Sequence, residues 1–127
     1  IAEDDRLSRT FLEEFMKDYG TCDSAEDWMA VLDYYLDSLK TGEPYDLLCL
    51  DIMMPKVDGL KVLKVIRSLE KQHNISVEKH LRIIMMTAIA DMEYVDQAFQ
   101  LGCDAYASKP IDTEKVQEVM QNLNLVE

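Results

Sequence analysis

The sequence predicts an α/β protein, a single domain built on a doubly wound, five-stranded parallel sheet. Three observations predict it. Short apolar runs alternate with amphipathic helical stretches along the whole chain. Parallel strands need long crossover connections, and helices placed between the strands supply them while covering both sheet faces. The chain has 127 residues, enough to bury one core without metal or disulfide staples.

The elements follow in order. Ile1-Ala2-Glu3 reads as a strand remnant, and Leu7, Phe11, Leu12, Phe15 and Met16 then recur at helical spacing. A short segment, Thr21-Cys22-Asp23, precedes Ser24, which with Asp27 three residues later predicts a capped helix over residues 25–39. Its apolar face is read as Trp28, Met29, Leu32, Leu36 and Leu39. After Thr41-Gly42-Glu43-Pro44, the run Leu47-Leu48-Cys49-Leu50 reads as a buried strand that ends on Asp51, before Pro55 and Gly59 turn the chain. Asp58-Gly59 open a helix with Val62, Leu63, Ile66 and Leu69 inward. Residues 71–79 are polar and read as a loop or a frayed helix end, longer than the usual connection of ~2–6 residues. Residues 82–87 form the fourth strand, 91–101 a helix stopped by Gly102, and 104–107 a short fifth strand. Asp112 caps a last helix carrying Val116, Val119, Met120 and Leu123.

Composition narrows the function. The formal charge of -12 disfavours direct binding to nucleic acid phosphates, which needs basic patches. Glu13, Glu14, Asp33, Asp37 and Glu118 are read as solvated helix faces. Cys22, Cys49 and Cys103 are odd in number and lack Cys-x-x-Cys spacing, so free thiols in a reducing cytoplasm are expected. No apolar stretch reaches the ~20 residues of a membrane span, and no leader peptide is visible, so no membrane contact is expected.

The chemistry gathers at strand ends. Glu3, Asp4 and Asp5 follow the first strand, Asp51 the third, Thr87 the fourth, and Lys109-Pro110 the fifth. In a parallel sheet all of these emerge on one edge, where open α/β folds place their ligands. Two carboxylates ~4 Å apart repel by ~4 kcal/mol at an effective dielectric of ~20, so the acidic cluster calls for a cation. Hard oxygen ligands suit Mg²⁺.

The set Glu3-Asp4, Asp51 within Asp-Ile-Met-Met-Pro-Lys-Val-Asp-Gly, Thr87-Ala88 and Lys109-Pro110 resembles the receiver domain of two-component response regulators, the group typified by the chemotaxis regulator CheY. The likeness runs through residues 1–127 in the correct order. It implies a flavodoxin-like (βα)5 fold with strand order 2-1-3-4-5. It implies that Asp51 is a phosphoacceptor, a carboxylate nucleophile that takes a phosphoryl group from a histidine kinase or a histidine phosphotransfer protein. Asp4 and Asp51 would bind Mg²⁺, with Mn²⁺ as the alternative, together with the backbone carbonyl of Met53 and with Glu3 through water. Thr87 and Lys109 would contact the phosphoryl oxygens, and Thr87 and Tyr106 would form the switch that changes the surface of helix four, strand five and helix five. A downstream effector protein or output domain would read that surface, with a phosphorylation-dependent homodimer as a further outcome. Resting charges balance, with -3 from Glu3, Asp4 and Asp51 against +3 from Mg²⁺ and Lys109, whereas a phosphoryl group near -2 tips the site to about -1.

Each residue also has a plainer reading. Asp5 and Asp58 suit helix N-caps, Thr87 alone is a β-branched strand residue, Lys109 alone a solvated lysine, and Tyr106 alone core packing. Met85, Met86 and Trp28 read as core, and His73 and His80 as surface. Met53 and Ile89, two residues beyond Asp51 and Thr87, are apolar where the family tunes water access, which predicts slow autodephosphorylation and no turnover as an enzyme. Only Ile1 and Ala2 precede Glu3, so the first strand is expected to be truncated and the chain either a stand-alone receiver or one excised from a longer regulator. Three alternatives compete. An aspartyl-phosphate hydrolase of the haloacid-dehalogenase type needs an acid two residues after the nucleophile, where Met53 stands. A flavin-binding domain needs a phosphate loop after the first strand, where Asp4-Asp5-Arg6-Leu7-Ser8-Arg9 would repel a phosphate. A docking receiver without phosphorylation would not need every chemical residue that is present.

Overall fold

Alternating strands and helices build the frame, and the computed structural model describes residues 1–3, 5–51, 53–54, 57–87, 95–109 and 111–125, with residues 53–54 and 57–58 described for their backbone. In chain order the elements are α1 (Arg6–Met16), α2 (Trp28–Thr41), β1 (Leu47–Asp51), β2 (Met53–Met54), β3 (Val57–Asp58), α3 (Gly59–Gln72), β4 (Arg82–Thr87), α4 (Val95–Leu101), β5 (Ala105–Ser108) and α5 (Thr113–Asn122). Asp91, Ala88, Ile89 and Pro110, like Asp4, lie outside the described residues.

β1, β4 and β5 form a parallel sheet in that order, with Leu50 opposite Met85 and Met85 opposite Tyr106. The two further strands expected are reduced to single bridges, because Ala2 pairs in parallel with Leu50 on one side and Ala25 on the other. Backbone bonds from Ala2 N to Cys49 O (2.8 Å), Asp51 N to Ala2 O (3.0 Å) and Glu3 N to Ala25 O (3.0 Å) fix these positions. The spatial order Ala25, Ala2, β1, β4, β5 is the expected 2-1-3-4-5, with three strands rather than five of full length. A short antiparallel hairpin, β2 with β3, follows Asp51 and was not foreseen.

Strand alternation divides the core. Leu48, Leu50, Ile83 and Met85 face α2 and α3, where Val31, Tyr35, Leu60, Val62, Leu63 and Ile66 pack. Cys49, Ile84, Met86 and Ala107 face α1 and α5, against Leu12, Met16, Val116 and Met120. Met85 and Met86 are core, as expected.

Several local expectations need correction. α2 starts at Trp28 rather than residue 25, because the Asp27 carboxylate accepts from Ala30 N at 2.9 Å and serves as the cap. Ala25 is claimed by the sheet, and the Ser24 hydroxyl donates instead to Glu13, which is thus half-buried rather than a free solvated charge. On α1 only Leu12 and Met16 are buried, while Leu7 is 81% and Phe11 48% exposed. The buried stripe of α2 is Val31, Tyr35 and Ser38, which leaves Met29 exposed. The segment 71–79 is more ordered than a loop, since α3 runs to Gln72 and a 3₁₀ turn spans Val77–Lys79. Other readings hold. Asp5 caps α1, Asp112 caps α5, and Gly102 ends α4 at φ +109°. Cys49 and Cys103 are buried and Cys22 exposed, all as free thiols. Among the described residues no helix is long and apolar enough to cross a membrane.

Candidate functional site

At the carboxyl ends of the strands the fold gathers Glu3, Asp51 and Lys109. Glu3 follows Ala2, Asp51 ends β1, and Lys109 follows β5, so each side chain is aimed at the same edge by its own strand. Lys109 Nζ donates to Asp51 Oδ2 and to Glu3 Oε1, both at 2.8 Å. Asp51 and Glu3 are buried, and Lys109 is one-quarter exposed. The Lys109 backbone N–H bonds to Thr87 O at 2.8 Å, which locks the start of the following loop to the end of β4.

One ammonium faces two carboxylates here, and the electrostatics show it. Burial, then a hydrogen bond with Asp51, pushes the Glu3 carboxyl up to about 7, against the opposing pull of Lys109. Burial lowers Lys109, but its bonds to Asp51 and Glu3 outweigh this and hold it above the usual lysine value. The raised Glu3 carboxyl thus marks a site in which a further cation would be favourable. Buried hard oxygens short of positive charge fit a divalent ion such as Mg²⁺. Among the described residues no trio of His, Cys, Asp and Glu gathers into a metal cluster, and Asp4, the third expected carboxylate, lies outside them.

The other expected residues fall as follows. Asp5 caps α1: its carboxylate accepts from Ser8 N at 3.1 Å and Ser8 Oγ at 2.7 Å, and these bonds hold its acid strength above the usual. Met53 opens the hairpin two residues after Asp51, paired with Asp58. The Asp58 side chain, read from sequence as a cap, lies outside the description. Thr87 is buried at the end of β4, opposite Ser108. By alternation it shares the α3 and α4 face of the sheet with Met85, whereas Asp51 shares the α1 and α5 face with Cys49. Thr87 and Asp51 therefore lie at the same ends of the strands but on opposite faces of the sheet. Tyr106 is not core: it is 41% exposed and meets Phe99 edge to face.

A second polar cluster, missed by sequence reasoning, lies at the opposite ends of the strands. Fully buried Glu70 accepts from Arg67 Nη1 (2.7 Å), Leu81 N (2.6 Å) and Tyr35 OH (3.1 Å). Arg67 also donates to Gly102 O from Nε (2.9 Å) and Nη2 (2.7 Å), and to Asp104 Oδ2 (3.0 Å). The available signal was phase: Glu70 sits seven residues after Leu63 and four after Ile66, inside the apolar stripe of α3.

The family model of the response regulator receiver domain matches residues 1–121. The chain belongs to this receiver domain family. It is 41% identical over 75 residues to Histidine kinase 1 of Arabidopsis thaliana, a match covering 59% of this chain and 6% of that protein. It is 35% identical over 116 residues to the DNA-binding transcriptional regulator NtrC of Klebsiella pneumoniae, covering 91% of this chain and 22% of that protein. The receiver domain thus spans less than a quarter of either relative. Among solved structures, a putative response regulator from Chloroflexus aurantiacus superposes with a TM-score of 0.77 at 25% identity, over 97% of this chain and 93% of that one. The receiver domain of Saccharomyces cerevisiae Ssk1, solved with the phosphotransfer protein Ypd1, gives a TM-score of 0.79 at 20% identity over 98% and 88%, a likeness of fold. The receiver is a signalling domain with the flavodoxin-like α/β architecture expected from its sequence.

Proposed function

We propose that this receiver accepts a phosphoryl group on Asp51 from the phosphohistidine of a histidine kinase or a histidine phosphotransfer protein. The observation that carries the reading is the buried Asp51 carboxylate held 2.8 Å from Lys109 beside Glu3. An Asp51 oxygen attacks phosphorus, the phosphorus–nitrogen bond breaks, the imidazole leaves, and an acyl phosphate remains. Lys109, already bonded to that carboxylate, follows the charge onto the phosphoryl oxygens, and the Thr87 hydroxyl meets another of them. Mg²⁺, or Mn²⁺ in its place, would be held by Asp4, Asp51, the Met53 carbonyl and, through water, Glu3, and would neutralise the phosphoryl oxygens as a Lewis acid. Binding of such an ion would favour the ionised form of Glu3 over the protonated one.

Movement of Thr87 toward the phosphoryl group opens space on the α4 face, and Tyr106 responds. The altered surface of α4, β5 and α5 is then read by an effector or output domain, or by a second receiver. Because an apolar Met53 stands where a hydrolase needs its acid, the phosphoryl group is lost slowly and the domain stores a signal rather than turning over substrate. Cytoplasmic histidine kinases or phosphotransfer proteins are the partners this chemistry requires. Phosphorus NMR of the protein with acetyl phosphate and Mg²⁺ tests the reading. An acyl phosphate resonance removed by hydroxylamine supports it, and a hydroxylamine-resistant ester or no new resonance refutes it.

A further inference from the structure

We propose that Phe99 is a positioning residue that latches Tyr106 in its exposed state and so sets how readily the receiver switches; this rests on the reading of Tyr106 as the switch. The two rings meet with centroids 6.3 Å apart and planes at 88°, the edge-to-face arrangement aromatic quadrupoles favour. Both are large and apolar, yet Phe99 is 44% and Tyr106 41% exposed, so core burial does not account for their pairing.

The pair is held by the frame. Phe99 lies beside Ala98, which is fully buried against the core, and Cys103 N bonds back to Ala98 O at 3.0 Å. In the chain between Phe99 and Tyr106, Gly102 O is gripped twice by Arg67, and Asp104 Oδ2 accepts from Arg67 at 3.0 Å and from Ile83 N at 2.8 Å. The end of α4 and the start of β5 are therefore fixed to α3 and β4. With both backbones pinned, Tyr106 leaves its exposed position by turning its own side chain, and that turn breaks the contact with Phe99.

The register links this pair to the site. Met85 lies opposite Tyr106 and Thr87 opposite Ser108, so Thr87 is the diagonal neighbour of Tyr106 on one sheet face. Space released by Thr87 opens toward the ring that Phe99 restrains. An aromatic pair of this kind biases such an equilibrium by about two- to tenfold. Phe99 thus favours the resting state, and its removal raises the switched population without touching the phosphoacceptor.

Fluorotyrosine NMR of the full chain tests this, with the Tyr106 resonance assigned by Tyr106→Phe among the six tyrosines. Wild type, Phe99→Leu and Phe99→Tyr are compared before and after addition of beryllium fluoride with Mg²⁺, and thermal melting checks that each variant folds. The expected result is that the resting Tyr106 signal of Phe99→Leu moves toward the beryllium fluoride position, that its switched fraction rises by about two- to tenfold, and that Phe99→Tyr behaves as wild type. A Tyr106 signal unchanged by Phe99→Leu while wild type still responds to beryllium fluoride overturns the latch alone. A wild-type Tyr106 signal that ignores beryllium fluoride bound at Asp51 overturns the switch reading and the latch together.

Discussion

Lys109 and Asp51 lie 58 residues apart in sequence, and the fold brings the ammonium to 2.8 Å from the carboxylate oxygen. Glu3 adds a second buried carboxylate to the same ammonium, so the site is short of positive charge before any ligand arrives.

Lys109→Met removes the only side chain seen to bridge both carboxylates among the described residues. At pH 8, without metal, the variant is expected to lose about 1–3 kcal/mol because the buried carboxylates lose the charge-assisted bonds of that ammonium. A lower urea midpoint at unchanged slope checks this. An equal or higher midpoint would mean that the ammonium does not stabilise the pair.

The raised pKa of Glu3, about 7, sets a pH dependence. Its folded value lies above its unfolded one, so the stability it contributes is full below the unfolded value of 4.5 and is lost as pH rises through about 7. The metal-free protein therefore weakens across that window. Mg²⁺ binding competes with the same proton, so apparent affinity should climb by up to about tenfold per pH unit below 7 and level off above it. Calorimetric titrations at several pH values would show the slope, and Glu3→Gln should flatten it.

Glu70 should govern stability and not phosphorylation. Glu70→Ala leaves the Leu81 N–H and the Tyr35 hydroxyl without their acceptor while Arg67 keeps Gly102 O and Asp104, at a cost of about 1–3 kcal/mol for each orphaned donor, whereas Tyr35→Phe loses one hydrogen bond and about 1 kcal/mol. Because this cluster sits at the far ends of the strands, phosphoryl labelling of the folded Tyr35→Phe variant should equal that of wild type.

Gly102→Ala probes the joint between α4 and β5. Its φ of +109° is strained for an L residue, and an added Cβ would meet Arg67 Nε at 3.1 Å and Cγ at 3.2 Å. A loss of about 1–3 kcal/mol is expected in thermal melts. A neutral result would show that Arg67 gives way and does not hold the joint.

Much of this was legible because local chemistry and global fold agree. Asp5 and Asp112 cap helices as their positions indicate, and the apolar run that ends on Asp51 is a buried strand. Other features depend on partners that local sequence does not reveal. Ala25 looks helical until the sheet claims it through Ala2, and then Asp27 becomes the cap. Leu7 and Phe11 share the spacing of Leu12 and Met16, but helical phase alone does not say where the sheet edge stops covering α1. Glu70 falls in the apolar stripe of α3, so its burial has a local signal, but the partners that close around it and Arg67, namely Tyr35, Leu81 and Gly102, lie too far along the chain for the local pattern to name them. At the candidate site, Glu3, Asp51 and Lys109 converge as anticipated, while the outward position of Tyr106 against Phe99 was not anticipated.

The central claim, that Asp51 stores a phosphoryl group, is tested most directly by intact-mass measurement after incubation with acetyl phosphate and Mg²⁺, comparing wild type with Asp51→Asn. The account predicts one phosphoryl group on wild type, lost when Mg²⁺ is chelated beforehand, and none on Asp51→Asn. Equal labelling of the two proteins would contradict it.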